Sequence, residues 1–219
     1  MDKAERDIWD KAERLGYLAE LRRRMMLFCI PLWWGDVNRK QIFHNSSACA
    51  IATPQEHIVV TADHVLKTYE RQKAEKPETI CQLGNAPFAP ESNVIDRSGH
   101  WDLATFRIPK FTLNHWDYKH KICRPGFWPP PTVNPGDSVI IGGWPEGLRT
   151  HSEDGLSSAL VTFIGSVESS SDSQFGFQLD LSNTYWPQGE SLPPNADLSG
   201  ASGGPVSYTH LTLPTKRIV

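Results

Sequence analysis

Two different periods govern the apolar positions of this chain. From Asp2 to about Arg24, Ile8, Ala12, Leu15, Leu18 and Leu21 recur at helical spacing among Lys, Arg, Glu and Asp. That pattern predicts an amphipathic helix that packs one face on the rest of the protein; a helix offering that face to a partner is the alternative. Gly16 falls inside the stripe and weakens it by about 1 kcal/mol relative to alanine. Beyond Phe28 the texture changes to short β-type runs cut by Pro, Gly, Asn and Asp. These predict strands at residues 27–33, 41–52, 57–61, 80–83, 103–108, 138–142, 159–167 and 175–181, with one helical insert over 65–74. Many short strands between turn signals predict an all-β barrel or sandwich architecture.

Between Asp117 and Pro135 runs Cys-Arg-Pro-Gly-Phe-Trp-Pro-Pro-Pro. It cannot be a central strand, because proline has no N–H for the ladder, so it marks a boundary between two β units. The expected organisation is an N-terminal helix over 1–26, a first β unit over 27–125 and a second over 126–205. Residues 206–219, starting Val-Ser-Tyr-Thr-His-Leu-Thr-Leu-Pro-Thr, coincide with one reading frame of a sequencing-library transposase adapter. They are expected to be read-through rather than native sequence, and are set aside from fold reasoning.

The chain has 219 residues, is 39% hydrophobic and carries a formal net charge of -3. This is ordinary globular composition, and the near-balanced charge gives no reason to expect nucleic acid or an anionic membrane as partner. The longest apolar run, Met25 to Trp34, is broken by Pro31 and is far short of the roughly 18–20 residues that span a bilayer. Arg22, Arg23 and Arg24 precede it as the basic region of a secretory signal would. That region would be far too long, and Gly35-Asp36-Val37-Asn38 offers no cleavage site; a cytoplasmic location is favoured. Cys29, Cys49, Cys81 and Cys123 show no C-x-x-C pairing, so free, mostly buried thiols are expected. His115, Asp117, His120 and Cys123 cluster in sequence at a spacing that matches no familiar metal site, so no metal is expected.

Three local patterns carry candidate chemistry. A β-run ends in a histidine, Val59-Val60-Thr61-Ala62-Asp63-His64. An acid opens another, Asp102-Leu103-Ala104-Thr105-Phe106. A serine stands in a glycine-rich turn, Gly200-Ala201-Ser202-Gly203-Gly204-Pro205. A serine hydroxyl is a weak nucleophile that needs an adjacent base. An imidazole, with an unperturbed pKa near ~6.5, can supply it, and a buried carboxylate can orient that ring. Small residues around the serine leave room for backbone N–H groups to converge on an oxyanion.

Thr-Ala-x-His, Asp-Leu-Ala and Gly-x-Ser-Gly-Gly-Pro, in that order, resemble the chymotrypsin/trypsin-like serine peptidases. The segment Asn134-Pro135-Gly136-Asp137-Ser138-Val139, followed by Gly142-Gly143-Trp144-Pro145, is similar to a strand of the bacterial trypsin-like members. The resemblance covers about residues 27–205. It implies an all-β fold of two antiparallel β-barrels, the second incomplete here, preceded by an α-helix. It implies His64, Asp102 and Ser202 as catalytic triad, Gly200 and Ser202 as oxyanion-hole donors, no cofactor, and a peptide or protein substrate cleaved through an acyl-enzyme. With so little chain after the serine, the chain as written is expected to be an inactive fragment. The sequence does not fix an oligomeric state.

The resemblance departs from the digestive members at Ala201, where they carry an aspartate that pairs with a new N-terminus after activation. Ala196 and Asp197 stand near the position that sets specificity, and loop length prevents a choice between them. A non-catalytic binding or scaffold protein on the same fold is the rival reading. Gly-Ala-Ser-Gly-Gly also fits the nucleophile elbow of α/β-hydrolases, but the segment before Ser202 lacks the alternating helices that fold requires.

Overall fold

The computed structural model describes residues 11, 13–36, 43–117, 122–123, 132–152, 155–171, 174–177, 198–204 and 206–208. Helix α1 (Tyr17–Phe28) leads directly into strand β1 (Cys29–Asp36). Gly16, at φ 74°, stands in the left-handed region as the helix N-cap, so the weak point of the sequence pattern is the start of the helix. Strands β2 (Phe43–Ala52) and β3 (His57–Thr61) follow, then helix α2 (Asp63–Glu75) and strands β4 (Thr79–Leu83), β5 (Ala86–Phe88), β6 (Val94–Ser98) and β7 (Leu103–Arg107). Helix α3 (Lys110–His115) ends this half. The second half comprises β8 (Ser138–Gly143), β9 (Arg149–Ser152), β10 (Gly155–Ser158), β11 (Val161–Ser170), β12 (Phe175–Phe177) and β13 (Val206–Tyr208).

The fold is all-β and antiparallel, with an N-terminal helix. A seven-stranded sheet has the order β5-β4-β1-β2-β3-β7-β6, and a four-stranded sheet the order β12-β11-β8-β13, with β9 and β10 as a separate hairpin. Strand β1 explains why residues 25–34 are so apolar. Ile30, Leu32 and Trp34 enter the core of the first sheet with Val59, Leu66, Leu83, Phe106 and Trp116. Cys29 faces the other way, into a cluster with Met25, Ile140 and Leu160. A strand covered on both faces needs no polar alternation. Pro31 is tolerated because pairing with β4 begins only at Leu32, beyond the position that lacks an N–H.

Helix α1 packs on the second sheet: Met25 is 1% exposed, and Leu21 and Phe28 cover the cluster around Ile140. The predicted helical face is corrected at Leu15, which is 62% exposed because the chain turns at Gly16 before the packed helix begins. The helix also runs on to Phe28, past the expected end at Arg24, so the first strand starts at Cys29. Ile8 and Ala12, and the side chain of Leu18, lie outside the described residues. Strand 57–61 has the predicted limits, the ends predicted at Ala52, Leu83, Leu103, Ser138 and Phe175 are met, and the other described ends shift by one to three residues. Strands β5, β6, β9 and β10 and helix α3 were not predicted. Four of the five β6 residues are exposed and the fifth half-buried, so no apolar alternation marks it. Residues 206–208, set aside by the sequence reading, pair antiparallel with β8, Val206 opposite Ile141.

Candidate active site

His64 owes its position to a strand-to-helix junction. Strand β3 ends at Thr61, Ala62 is extended (φ -76°, ψ 144°), and α2 begins at Asp63. His64 is therefore the second residue of the helix, where backbone N–H groups have no intrahelical partner. Asp102 supplies one: its Oδ1 accepts the His64 N–H at 2.9 Å, and its Oδ2 lies 2.6 Å from the ring Nδ1. One carboxylate thus caps the helix and orients the imidazole. To do so Asp102 adopts φ 49°, the left-handed region, which aspartate tolerates better than most side chains. Partial burial pushes its carboxyl up, but the His64 N–H and ring outweigh that and hold it below the usual aspartate value. The expected carboxylate is buried; Asp102 is instead 51% exposed, because it sits in the surface turn that opens β7.

Ser202 lies in the second of two consecutive turns. The Ala201 N–H bonds to the Leu198 carbonyl and the Gly204 N–H to the Ala201 carbonyl, both at 3.1 Å. The third residue of each turn is a glycine at positive φ, 90° at Gly200 and 81° at Gly203. Both are type II turns, which reserve that position for glycine. Neighbouring backbone adds a second requirement. A Cβ on Gly203 would stand 2.3 Å from the Ser47 carbonyl oxygen, and one on Gly204 1.9 Å from the Gly142 carbonyl oxygen. The turn is thus wedged between β2 and β8. Leu198 anchors its start against Val161 and Phe163.

Strand β2 holds the turn through a polar run. Ser46 Oγ donates to the Ser202 carbonyl at 2.7 Å, and the Ser47 N–H donates to the same oxygen at 3.1 Å. Ser47 Oγ donates to the Gly200 carbonyl at 2.9 Å and accepts the Trp144 N–H at 2.8 Å. Sequence reasoning missed these residues. The available signal was Asn45-Ser46-Ser47, three polar residues inside a strand, all buried. The N–H groups of Gly200 and Ser202, the expected oxyanion donors, bond to no acceptor among the described residues.

His64, Gly200 and Ser202 line one cavity of about 310 Å³, together with Trp34, His44 and Glu146. No hydrogen bond joins the His64 ring to the Ser202 hydroxyl. Next to His64, Asp63 is a buried acid, its side chain 2% exposed, held by Lys67 and Arg97 at 2.7 Å each. The Lys67 bond, opposed by burial and reinforced by Arg97, keeps its carboxyl below the ordinary aspartate value. Asp96 and Asp117 serve elsewhere: Asp96 accepts the Arg97 N–H and Asp117 pairs with Asn85. His57 is not among the residues lining the cavity, and His100 meets Trp101 edge to face, ring centroids 4.6 Å apart.

All four cysteines are free thiols. Burial, with Cys123 nearby, pushes the Cys49 thiol up to about 12, and burial also raises Cys81. Among the described residues no group of three His, Cys, Asp or Glu could hold a metal. His115 bonds to the Phe111 carbonyl, Cys123 bridges to Ile51, and His120, Ala196 and Asp197 lie outside the described residues. No described helix is long and apolar enough to cross a membrane.

The family model for Trypsin matches residues 33–212, a span that takes in both sheets and all three candidate residues. The chain belongs to the trypsin family. Among solved structures it is similar to a serine endoprotease from Yersinia pestis, with a TM-score of 0.50 and 15% identity over 87% of this chain and 53% of that one. The chain thus spans about half the length of that relative, and the likeness is one of fold. A protease from M. tuberculosis in its active form (TM-score 0.32, 16% identity, 74% of this chain and 80% of that one) also matches. So does a thermostable serine protease from an extremophilic microorganism (TM-score 0.38, 16% identity, 83% and 78%). No curated protein matches the chain. The expected family and the all-β fold are therefore both met.

Proposed function

We propose that the protein hydrolyses peptide bonds in peptide or protein substrates, with Ser202 as nucleophile, His64 as general base and then acid, and Asp102 as the orienting acid. The observation that carries this reading is the double contact of Asp102 with His64, at 2.9 Å to the backbone N–H and 2.6 Å to Nδ1. With Nδ1–H committed to the carboxylate, Nε2 is left as the acceptor able to take the Ser202 proton.

In the forward step the Ser202 oxygen attacks the substrate carbonyl carbon while His64 Nε2 takes the hydroxyl proton. The carbonyl oxygen becomes an oxyanion, and the N–H groups of Gly200 and Ser202, which bond to no acceptor among the described residues, are its donors. Collapse expels the amine, which receives the proton from His64 and leaves an ester on Ser202. Water then repeats the sequence and releases the acid. The lack of a hydrogen bond between the His64 ring and Ser202 is compatible with this, since catalytic hydrogen bonds often tighten only when substrate binds.

The organisation into a first β unit over 27–125 and a second over 126–205, with the site between them, is part of this proposal. The hydrogen bonds from β2 to the Ser202 turn support it. Turnover of a casein or mixed-peptide pool tests the reading in the full-length protein. Ser202→Ala should lose on the order of 10⁶ in kcat. Retention of more than a few per cent of the activity would reject Ser202 as nucleophile.

A further inference from the structure

The cavity beside Ser202 contains a second imidazole–carboxylate pair that the proposed mechanism does not use. His44 Nδ1 lies 3.4 Å from Glu146 Oε1, and the His44 ring stacks on Trp34 at 5.7 Å. The same Glu146 oxygen accepts the Asn45 N–H at 3.3 Å. Arg149 approaches the other oxygen at 3.6 Å. The Glu146 carboxylate thus draws together His44, Asn45 and Arg149, from two different parts of the chain.

Its backbone makes the decisive contact. The Glu146 N–H donates to the Ser199 carbonyl at 2.5 Å. That carbonyl shares a peptide plane with the Gly200 N–H, and in a trans peptide the two point in opposite directions. Fixing the Ser199 oxygen on Glu146 therefore fixes the direction of the Gly200 N–H. Rotation of that peptide would aim a carbonyl instead of a donor toward where an oxyanion forms, and would first have to break the Glu146 bond. Asn45 reinforces the arrangement by donating its Nδ2 to the Trp144 carbonyl.

We infer that the His44–Glu146 pair is a latch that positions the oxyanion donor Gly200. It clamps residues 144–146 on β2, and Glu146 acts through the Ser199–Gly200 peptide rather than by touching substrate. The inference rests on the protease reading above. Glu146→Gln keeps the volume but removes the charge that draws His44 and Arg149. His44→Phe keeps a ring on Trp34 but removes both ring nitrogens.

The test uses the full-length protein, with kinetics on a peptide anilide and binding of a peptide aldehyde and the matching alcohol. The aldehyde forms a tetrahedral adduct on a serine and needs the oxyanion donors; the alcohol does not. Removal of one such donor costs about 10²–10³ in kcat. A loosened donor in either variant should therefore cost roughly tenfold or more in kcat, with KM unchanged. Aldehyde affinity should fall in parallel and alcohol affinity should stay. Unchanged kcat in both variants, or equal weakening of aldehyde and alcohol, would overturn the latch while leaving the triad intact. A wild-type protein that fails to react with a fluorophosphonate at Ser202 would overturn the protease reading and the latch together.

Discussion

Asp102 meets His64 with both carboxylate oxygens, one on the backbone N–H at 2.9 Å and one on ring Nδ1 at 2.6 Å. The acid is thereby locked to the N-terminal turn of α2 as firmly as to the imidazole. Replacing it with asparagine keeps a group that can accept from the helix N–H, so the fold should hold. The ring contact changes character, because an amide NH₂ facing Nδ1 favours the wrong tautomer. Asp102→Asn should slow acylation by roughly 10⁴ with an unchanged melting temperature. Asp96→Asn and Asp117→Asn should be nearly neutral. A large loss at either control, with Asp102→Asn near normal, would assign the orienting acid elsewhere.

Asp63 makes a prediction about acid stability. Its folded carboxyl is held below the ordinary value by Lys67 and Arg97, so the ionised form stabilises the native state. That contribution is fully present above the unfolded aspartate pKa, about 3.9, and is lost as pH falls through the lower native value. Asp63→Asn should therefore melt below the wild type at pH 7 by a margin that persists to about pH 5 and closes below about pH 4. Thermal melts across that range check the sign. A margin that widened toward low pH would contradict the pairing.

The glycines of the Ser202 turn are separable from glycines that merely allow a turn. Gly136 has φ 89° but open space around a Cβ, whereas a Cβ on Gly204 would meet the Gly142 carbonyl oxygen at 1.9 Å. Gly136→Ala should cost about 1–2 kcal/mol, the left-handed penalty alone. Gly204→Ala must push two backbones apart, which costs about 1–3 kcal/mol or more. It should also abolish reaction at Ser202, because the turn and β8 can no longer close on each other. Urea unfolding and active-site labelling of both variants distinguish the cases. Equal reactivity of the two would show that the wedge between β2 and β8 is not required.

The sequence made the family legible because three short motifs each concentrate their chemistry within a few residues. Thr61 to His64 and Gly200 to Gly204 show their role locally, one as a strand-to-helix junction and the other as glycine-filled turns. What holds these pieces together is not local. Ser47 and Gly200 are 153 positions apart, and Asn45 and Glu146 101 apart. No periodicity links them, so their contribution emerges only when the sheets are assembled. Strand β6 was missed for the opposite reason: as an exposed edge it has no buried face to impose a pattern. The helix limit at Phe28 moved because Met25 and Phe28 pack on the second sheet, a tertiary contact that overrides the spacing of charged residues.

The central claim is that Ser202 is a nucleophile activated by His64, and covalent labelling tests it most directly. The full-length protein is treated with a fluorophosphonate, digested, and the modified peptide located by mass spectrometry. The account predicts one label per chain on Ser202, lost in His64→Ala. No labelling, or labelling at another residue with Ser202 untouched, would contradict it.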